Sequence, residues 1–288
     1  MPHYSVWRRL RQASWYPSED GEMITVGIDV GTRNTKIAFI EDGGKILLTK
    51  TAKTSFDFNN TAKQLFNASL NELGLRSGDV EYIVATGFGR YRVDFRDINV
   101  TDITANSRGA KFFYPGTKSV LDIGAGNSRA AKVDEKGKVV KFRSTEKCAA
   151  GGGGFLEKIA YYTGFDVADI GVIALSSKNP VPISTVCSVF AESEVINLMT
   201  QEVPLEDILM GAHLSVAGRV LVTLKQIGVE PELTITGGLV LNPAIPKVLE
   251  EKLNLKPNVS PQLFYAGAVG AAVLGFRRLM KKRGYQAG

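Results

Sequence analysis

Cysteine is scarce in this chain of 288 residues, with Cys148 and Cys187 the only two. Two thiols exclude a disulfide framework and any four-thiolate metal site within one chain. No apolar run of about 18 residues suggests a membrane span. Residues 1–22 carry Arg8, Arg9 and Arg11 but lack the apolar centre of a secretory signal. A transit peptide is poor in acids, whereas Glu19, Asp20 and Glu22 close this stretch, so it reads as a loosely ordered extension. The expected compartment is cytoplasmic. Neither GxxxxGKS/T nor GxGxxG occurs at a strand–helix junction, so the P-loop and Rossmann readings fail. No acid lies between 277 and 288, where Arg277, Arg278, Lys281, Lys282 and Arg283 supply five of the net +6 charges. The basicity thus belongs to a C-terminal tail, read as a solvated helix end favourable to the macrodipole, and not to a nucleic-acid face.

What is present is ordinary globular composition, 44% hydrophobic and 22% charged, which excludes disordered, collagen-like and coiled-coil chains. The length suggests two domains at about 100–200 residues each. Met23 to Asp29 (MITVGID) reads as a strand entering the glycine turn GTRNTK, followed by the strand IAFI and, after Asp42-Gly43-Gly44, the strand KILLTK. Asn60 is placed to cap a helix bearing Leu65, Phe66, Leu70 and Leu73. The strand YIVATG and a helix over 102–113 follow. From Val120 (VLDIG) the same order of strand, glycine turn, strand, turn and strand returns, with Asp29 and Asp122 at matching places. The second half is more helical, with Pro204 suited to a first turn, a short strand into Gly237-Gly238, and a final helix with a stripe of small residues. The expected division is an extension 1–22, one domain over 23–117 onto which 264–283 packs back, and a second over 118–263.

Glycine turns follow strands at Gly31, at Gly124 and Gly126, and at Gly237-Gly238. A phosphate needs inward-facing N–H groups with no side chain in the way, which glycine permits. Thr32, Asn34 and Thr35 can donate further hydrogen bonds and Lys36 is a candidate countercharge. An Asp just before two such turns, Asp29 and Asp122, suits Mg²⁺ held through its waters. Any one of these turns reads as well as a tight strand connection; their conjunction is more specific. It resembles the acetate kinase, sugar kinase, heat-shock chaperone and actin superfamily. That resemblance implies an α/β chain of two duplicated actin-like, ribonuclease-H-like ATPase domains around a nucleotide cleft. It assigns 27–36 and 121–128, with Gly124, Ala125, Gly126 and Asn127, to two phosphate loops, and 234–242 to an adenosine loop.

Cys148 stands in KCAAGGGGFLEKIA and Cys187 in CSVFAESEVINLM. Both strings resemble the activators of 2-hydroxyacyl-CoA dehydratases and the ATP-binding subunits of benzoyl-CoA reductase. The resemblance implies that the two cysteines are ligands of one [4Fe–4S] cluster shared by two protomers. The count agrees, since two such chains supply four thiolates. It further implies a ferredoxin or flavodoxin-like donor, ATP hydrolysis that lowers the effective potential of the cluster, and a dehydratase or reductase acceptor. The second protomer is either identical or a paralogous subunit, and neither nucleic acid nor membrane is an expected partner. DIGAGNS stands where the activators usually read DIGGQD, and is closer to the reductase subunits. At 101–113 Asp102 replaces a family Glu and Asn106 a His; Asp102 is a candidate to orient the attacking water, with a salt-bridged or capping role equally open. Glu192 and Glu194, two apart, do not share a helix face, and His213 reads as a packing residue. The rival readings are a sugar or amino-sugar kinase of the same fold without a cluster, which needs a catalytic Asp in a polar sugar pocket where 86–118 offers no such motif beyond Asp94, Asp97 and Asp102, and an actin-like scaffold, which leaves both cysteine strings unexplained.

Overall fold

The computed structural model describes residues 23–145, 152–185 and 188–285. Cys148 and Cys187 lie outside the described residues. The chain divides into two compact units, one running to Gly109 and resuming at Gly267, the other Ala110–Ala266.

In the first unit, Val26, Ile28 and Val30 alternate with Thr25, Gly27 and Asp29 along β1 (Ile24–Val30), so the two sets leave on opposite faces. β2 (Asn34–Glu41) and β3 (Lys45–Lys53) continue antiparallel. Asp42 (φ 51°) and Gly43 (φ 67°) supply the left-handed residues of their hairpin. α1 (Phe58–Leu73) returns the chain to β4 (Val80–Thr86), which lies parallel to β1, and the two-residue β5 (Ile98–Asn99) completes the order β3-β2-β1-β4-β5. The cap of α1 is Asp57, whose carboxylate accepts from the Asn60 N–H at 3.0 Å. The expected cap, Asn60, is therefore already inside the first turn. α2 (Asp102–Phe113) follows β5.

The second unit repeats the scheme. β6 (Ser119–Ile123), β7 (Ser128–Val133) and β8 (Val139–Ser144) are antiparallel neighbours. Four helices intervene: α3 (Gly154–Thr163), α4 (Val167–Ala174), α5 (Ser188–Thr200) and α6 (Leu205–Ile227). Then β9 (Leu233–Gly237) pairs parallel to β6, as β4 does to β1. A 3-10 turn (Gly238–Leu241), α7 (Ala244–Leu253) and α8 (Ala266–Lys282) end the order. Pro204 sits just ahead of α6 and not in its first turn. Sequence patterning missed α4 and α7, which are short, and β5.

Each unit has its own core. One face of the first sheet sets Ile28, Ile37 and Phe39 against Ala62, Leu65 and Phe66 of α1, with the Phe39 and Phe66 rings stacked at 5.9 Å. The other face receives α8, whose backbone comes very close: a Cβ on Gly27 would lie 1.9 Å from the Ala268 carbonyl, and Thr25 Oγ1 donates to the Ala272 carbonyl at 3.1 Å. Gly270 of α8 meets α2 in the same way, 1.9 Å from the Ala105 carbonyl. The stripe of small residues thus serves two neighbours. In the second unit Leu121, Ile123 and Ile235 pack on α6 (Leu209, Ala212, Val216) and on Phe155 and Ile159 of α3. Each such large side chain contributes roughly 1.5–3 kcal/mol on burial.

Two helical stretches are long and apolar enough to cross a membrane, Leu205–Ile227 and Pro261–Lys282, against the expectation of none; 61% and 78% of their most apolar parts are buried in the fold. Protein packing accounts for their composition. The basic tail is the expected solvated helix end: Lys281 and Lys282 stand in the last turn of α8 and, like Arg277, Arg278 and Arg283, are exposed, while Arg283 also pairs with Glu81 and Lys282 lies 4.8 Å over the Tyr82 ring.

Candidate functional site

Asp29 is the last residue on the Thr25–Gly27 face of β1 and is directly opposite Lys36 in the β1–β2 register. Lys36 Nζ donates to Asp29 Oδ2 at 3.1 Å, with both residues below a tenth exposed. The same register places Asp122 of β6 opposite Arg129 of β7, joined at 3.3 Å. A buried carboxylate survives only with such a partner, and each strand pair supplies it from the next strand. Beyond each Asp comes a turn closed by its own backbone. The Gly31 N–H donates to the Asn34 carbonyl at 3.2 Å, and the Gly124 N–H to the Asn127 carbonyl at 3.1 Å. The two turns, GTRN and GAGN, share the spacing Gly-x-x-Asn. Thr32, Arg33 and Gly126 are exposed at their tips.

Asn34, Thr35 and Lys36 belong to β2 and not to the turn, which corrects the longer loop expected from GTRNTK. Strand alternation sends Thr35 to the face opposite Lys36. It is fully buried there, with its hydroxyl 2.9 Å from that of Thr54. The exposed side chains of the first turn are Thr32 and Arg33, and Asn34, half-buried, opens β2.

Parallel strands bring a second element to each carboxylate. Thr86 of β4 is level with Asp29 and Thr236 of β9 with Asp122. Thr236 Oγ1 donates to Asp122 Oδ1 at 3.3 Å, whereas Thr86 Oγ1 is buried with no hydrogen-bond partner among the described residues. Each Thr precedes a glycine in the left-handed region, Gly87 (φ 86°) and Gly237 (φ 93°). A Cβ there would come within 2.5 Å of Asp29 Oδ1 or 2.9 Å of Asp122 Oδ1, so both glycines are required twice over. Gly238 opens the 3-10 turn with free space at its Cβ position. Arg90 bridges the Gly87 carbonyl (3.0 Å) and Asp102 (3.3 Å), which fixes Asp102, in the first turn of α2, beside that loop. Arg129, Thr86, Gly87 and Arg90 were missed in the sequence; the repeated Thr-Gly after a strand was the available signal for two of them.

Gly152, Gly153 and Gly154 are packed against the second turn. Gly153 and Gly154 N–H groups donate to the Gly124 and Ala125 carbonyls at 2.8 and 2.9 Å, and a Cβ on Gly152 would lie 2.5 Å from the Ala125 carbonyl. α3 starts at Gly154. Cys187 directly precedes α5, which exposes Val189 and Phe190. Glu192 binds Lys158 at 2.8 Å and Glu194 accepts from the Ser184 N–H at 2.7 Å, each on its own. Among the described residues no three potential metal ligands cluster.

The sequence profile of the BadF/BadG/BcrA/BcrD ATPase family matches residues 26–275. The chain belongs to this family. A benzoyl-CoA reductase subunit of Thauera aromatica is 37% identical, over 88% of this chain and 93% of its own length. The 2-hydroxyisocaproyl-CoA dehydratase activator of Clostridioides difficile is 34% identical, over 88% of this chain and 95% of its own. The solved structure of such an activator from Clostridium difficile with bound ADPNP superposes with a TM-score of 0.86 at 31% identity, covering 92% of this chain and 99% of its own. The actin-like α/β ATPase fold of this BadF/BadG/BcrA/BcrD member is thereby shown.

Proposed function

We propose that this ATPase drives low-potential electrons through a [4Fe–4S] cluster shared by two protomers, as an activator of an acyl-CoA dehydratase or as a subunit of a benzoyl-CoA-type reductase. The observation that carries the ATPase half is the duplicated pair of buried Asp–cation contacts beneath self-closed glycine turns. The turns of Gly31 and of Gly124, Ala125, Gly126 and Asn127 bind phosphate through N–H groups, Thr32 and Asn34 add donors, and Gly237-Gly238 holds the nucleoside. Both carboxylates already have cation partners, and Asp122 accepts on both oxygens. That fits Mg²⁺ held through its waters, where it would neutralise phosphate charge. Lys36 and Arg129 hold the carboxylates in place. Asp102, held by Arg90, orients the attacking water.

Cys148 and Cys187 would hold the cluster, which supplies one-electron chemistry when bound. The donor set fits, because four thiolates arise only when two chains meet, and exposed Val189 and Phe190 beside Cys187 are the kind of surface a second chain covers. The two hydrogen bonds from Gly153 and Gly154 support a link between nucleotide and cluster, since they fasten the glycine run that follows Cys148 to the second turn. A ferredoxin or flavodoxin-like donor and a cytoplasmic setting complete the reading. Anaerobic purification with iron and sulfide analysis tests it. About four irons per two chains, lost on Cys148→Ser or Cys187→Ser, support it. An iron-free protein that makes ADP only when given a sugar sinks it and leaves the kinase reading.

A further inference from the structure

Asn242, the residue after the 3-10 turn Gly238–Leu241, is fully buried and uses its whole amide. Its Oδ1 accepts from the N–H groups of Ala244 (3.0 Å) and Ile245 (3.3 Å), the first turn of α7. Its Nδ2 donates to the Val167 carbonyl at 2.7 Å, where α4 begins, and lies 2.9 Å from His213 Nε2. His213, fully buried on α6, has its Nδ1 2.6 Å from the Leu209 carbonyl. A carbonyl only accepts, so Nδ1 carries the proton and Nε2 is left to accept from Asn242. Gly171 of α4 makes the room: a Cβ there would lie 2.6 Å from Asn242 Oδ1. Three helices therefore hold one amide, and that amide ends the segment that starts at Gly237-Gly238.

We infer that His213 is a positioning residue for nucleotide binding: as the acceptor for Asn242 it fixes the exit of the Gly237–Asn242 loop. The inference rests on reading that loop as the nucleoside site. Without the ring acceptor, one Asn242 N–H becomes a buried donor with nothing to bind. The amide then turns to find another acceptor and releases the Val167 or α7 contact, and the loop loses its anchor. Phosphate chemistry on the Asp29 and Asp122 turns is left intact, so binding of ATP suffers and turnover at saturation does not.

The test is MgATP hydrolysis by the full chain with His213→Leu, His213→Gln and Gly238→Val. His213→Leu is expected to raise KM for ATP about tenfold, the equivalent of one lost buried hydrogen bond, with kcat changed less than about twofold. His213→Gln, whose side-chain carbonyl can accept, is expected to recover most of the affinity. An unchanged KM in His213→Leu, equal losses in Leu and Gln, or a kcat that falls with KM each overturns the inference. Gly238→Val fills open space at the loop: if it raises KM while His213→Leu is silent, the inference alone fails. If it too is silent, the nucleoside reading of the loop fails. Should His213→Leu not fold, His213→Met carries the same expectation with a more adaptable side chain.

Discussion

Asp29 and Asp122 occupy equivalent strand positions and are neutralised by different cations. Lys36 offers a compact ammonium and Arg129 a planar fork. Removing either cation leaves a buried charge, so Lys36→Met is expected to cost about 3–5 kcal/mol, read as a lower midpoint in urea, and to abolish ATP turnover. A stable, active Lys36→Met would show that Asp29 does not depend on Lys36. Both aspartates were legible because a strand, an acid and a glycine turn follow one another in the chain. Their partners were not, because Lys36 and Arg129 are seven positions away and become neighbours only when the antiparallel register is known. Thr35 shows the opposite error: it is next to Lys36 in sequence, yet pleating takes it to the other face. Thr86 and Gly87 needed the parallel pairing of β1 with β4.

At Gly27 and Gly270 elements meet through backbone. Gly27→Ala would drive a methyl to within 1.9 Å of the Ala268 carbonyl, and either β1 or α8 must move. A loss of about 3 kcal/mol or more is expected in chemical denaturation; a small loss would mean that α8 slides freely on the sheet. The contact of the glycine run with the second turn makes a separate prediction. Amide exchange at Gly153 and Gly154 is expected to slow when an ATP analogue is bound, as their acceptors at Gly124 and Ala125 become fixed. Equal rates with and without nucleotide would uncouple α3 from that turn. Burial holds the His213 imidazole below its ordinary 6.5. The unfolded chain then takes up a proton, as pH falls through 6.5, that the folded chain refuses. The stability tied to this group is complete above that pH and declines below it. Going from neutral to mildly acidic solution, the Tm of the natural protein should fall more steeply than that of His213→Gln; parallel curves would contradict the assignment.

For the molecule as a whole, the proposed cluster, held by thiolates from two chains, would make assembly depend on iron. Stripping the metal with a chelator under anaerobic conditions is expected to convert a two-chain species into single chains in sedimentation. An unchanged two-chain species would place the contact elsewhere. The duplicated layout was visible in the order of strands and turns, since each repeat announces itself by an apolar run ending in Asp and Gly. The helical half was less visible: α4 and α7 are short and packed by α6, and their positions depend on contacts such as Asn242 that no local pattern reveals. The two turns closed by Gly31–Asn34 and Gly124–Asn127 bonds have a consequence for descent. A turn specified by its own main chain survives replacement of the residues it carries. One ancestral half could be copied and its daughters drift, Thr-Arg at one tip and Ala-Gly at the other, without either losing its shape. What the two turns share is a pattern of main-chain bonds, and their tips carry different side chains.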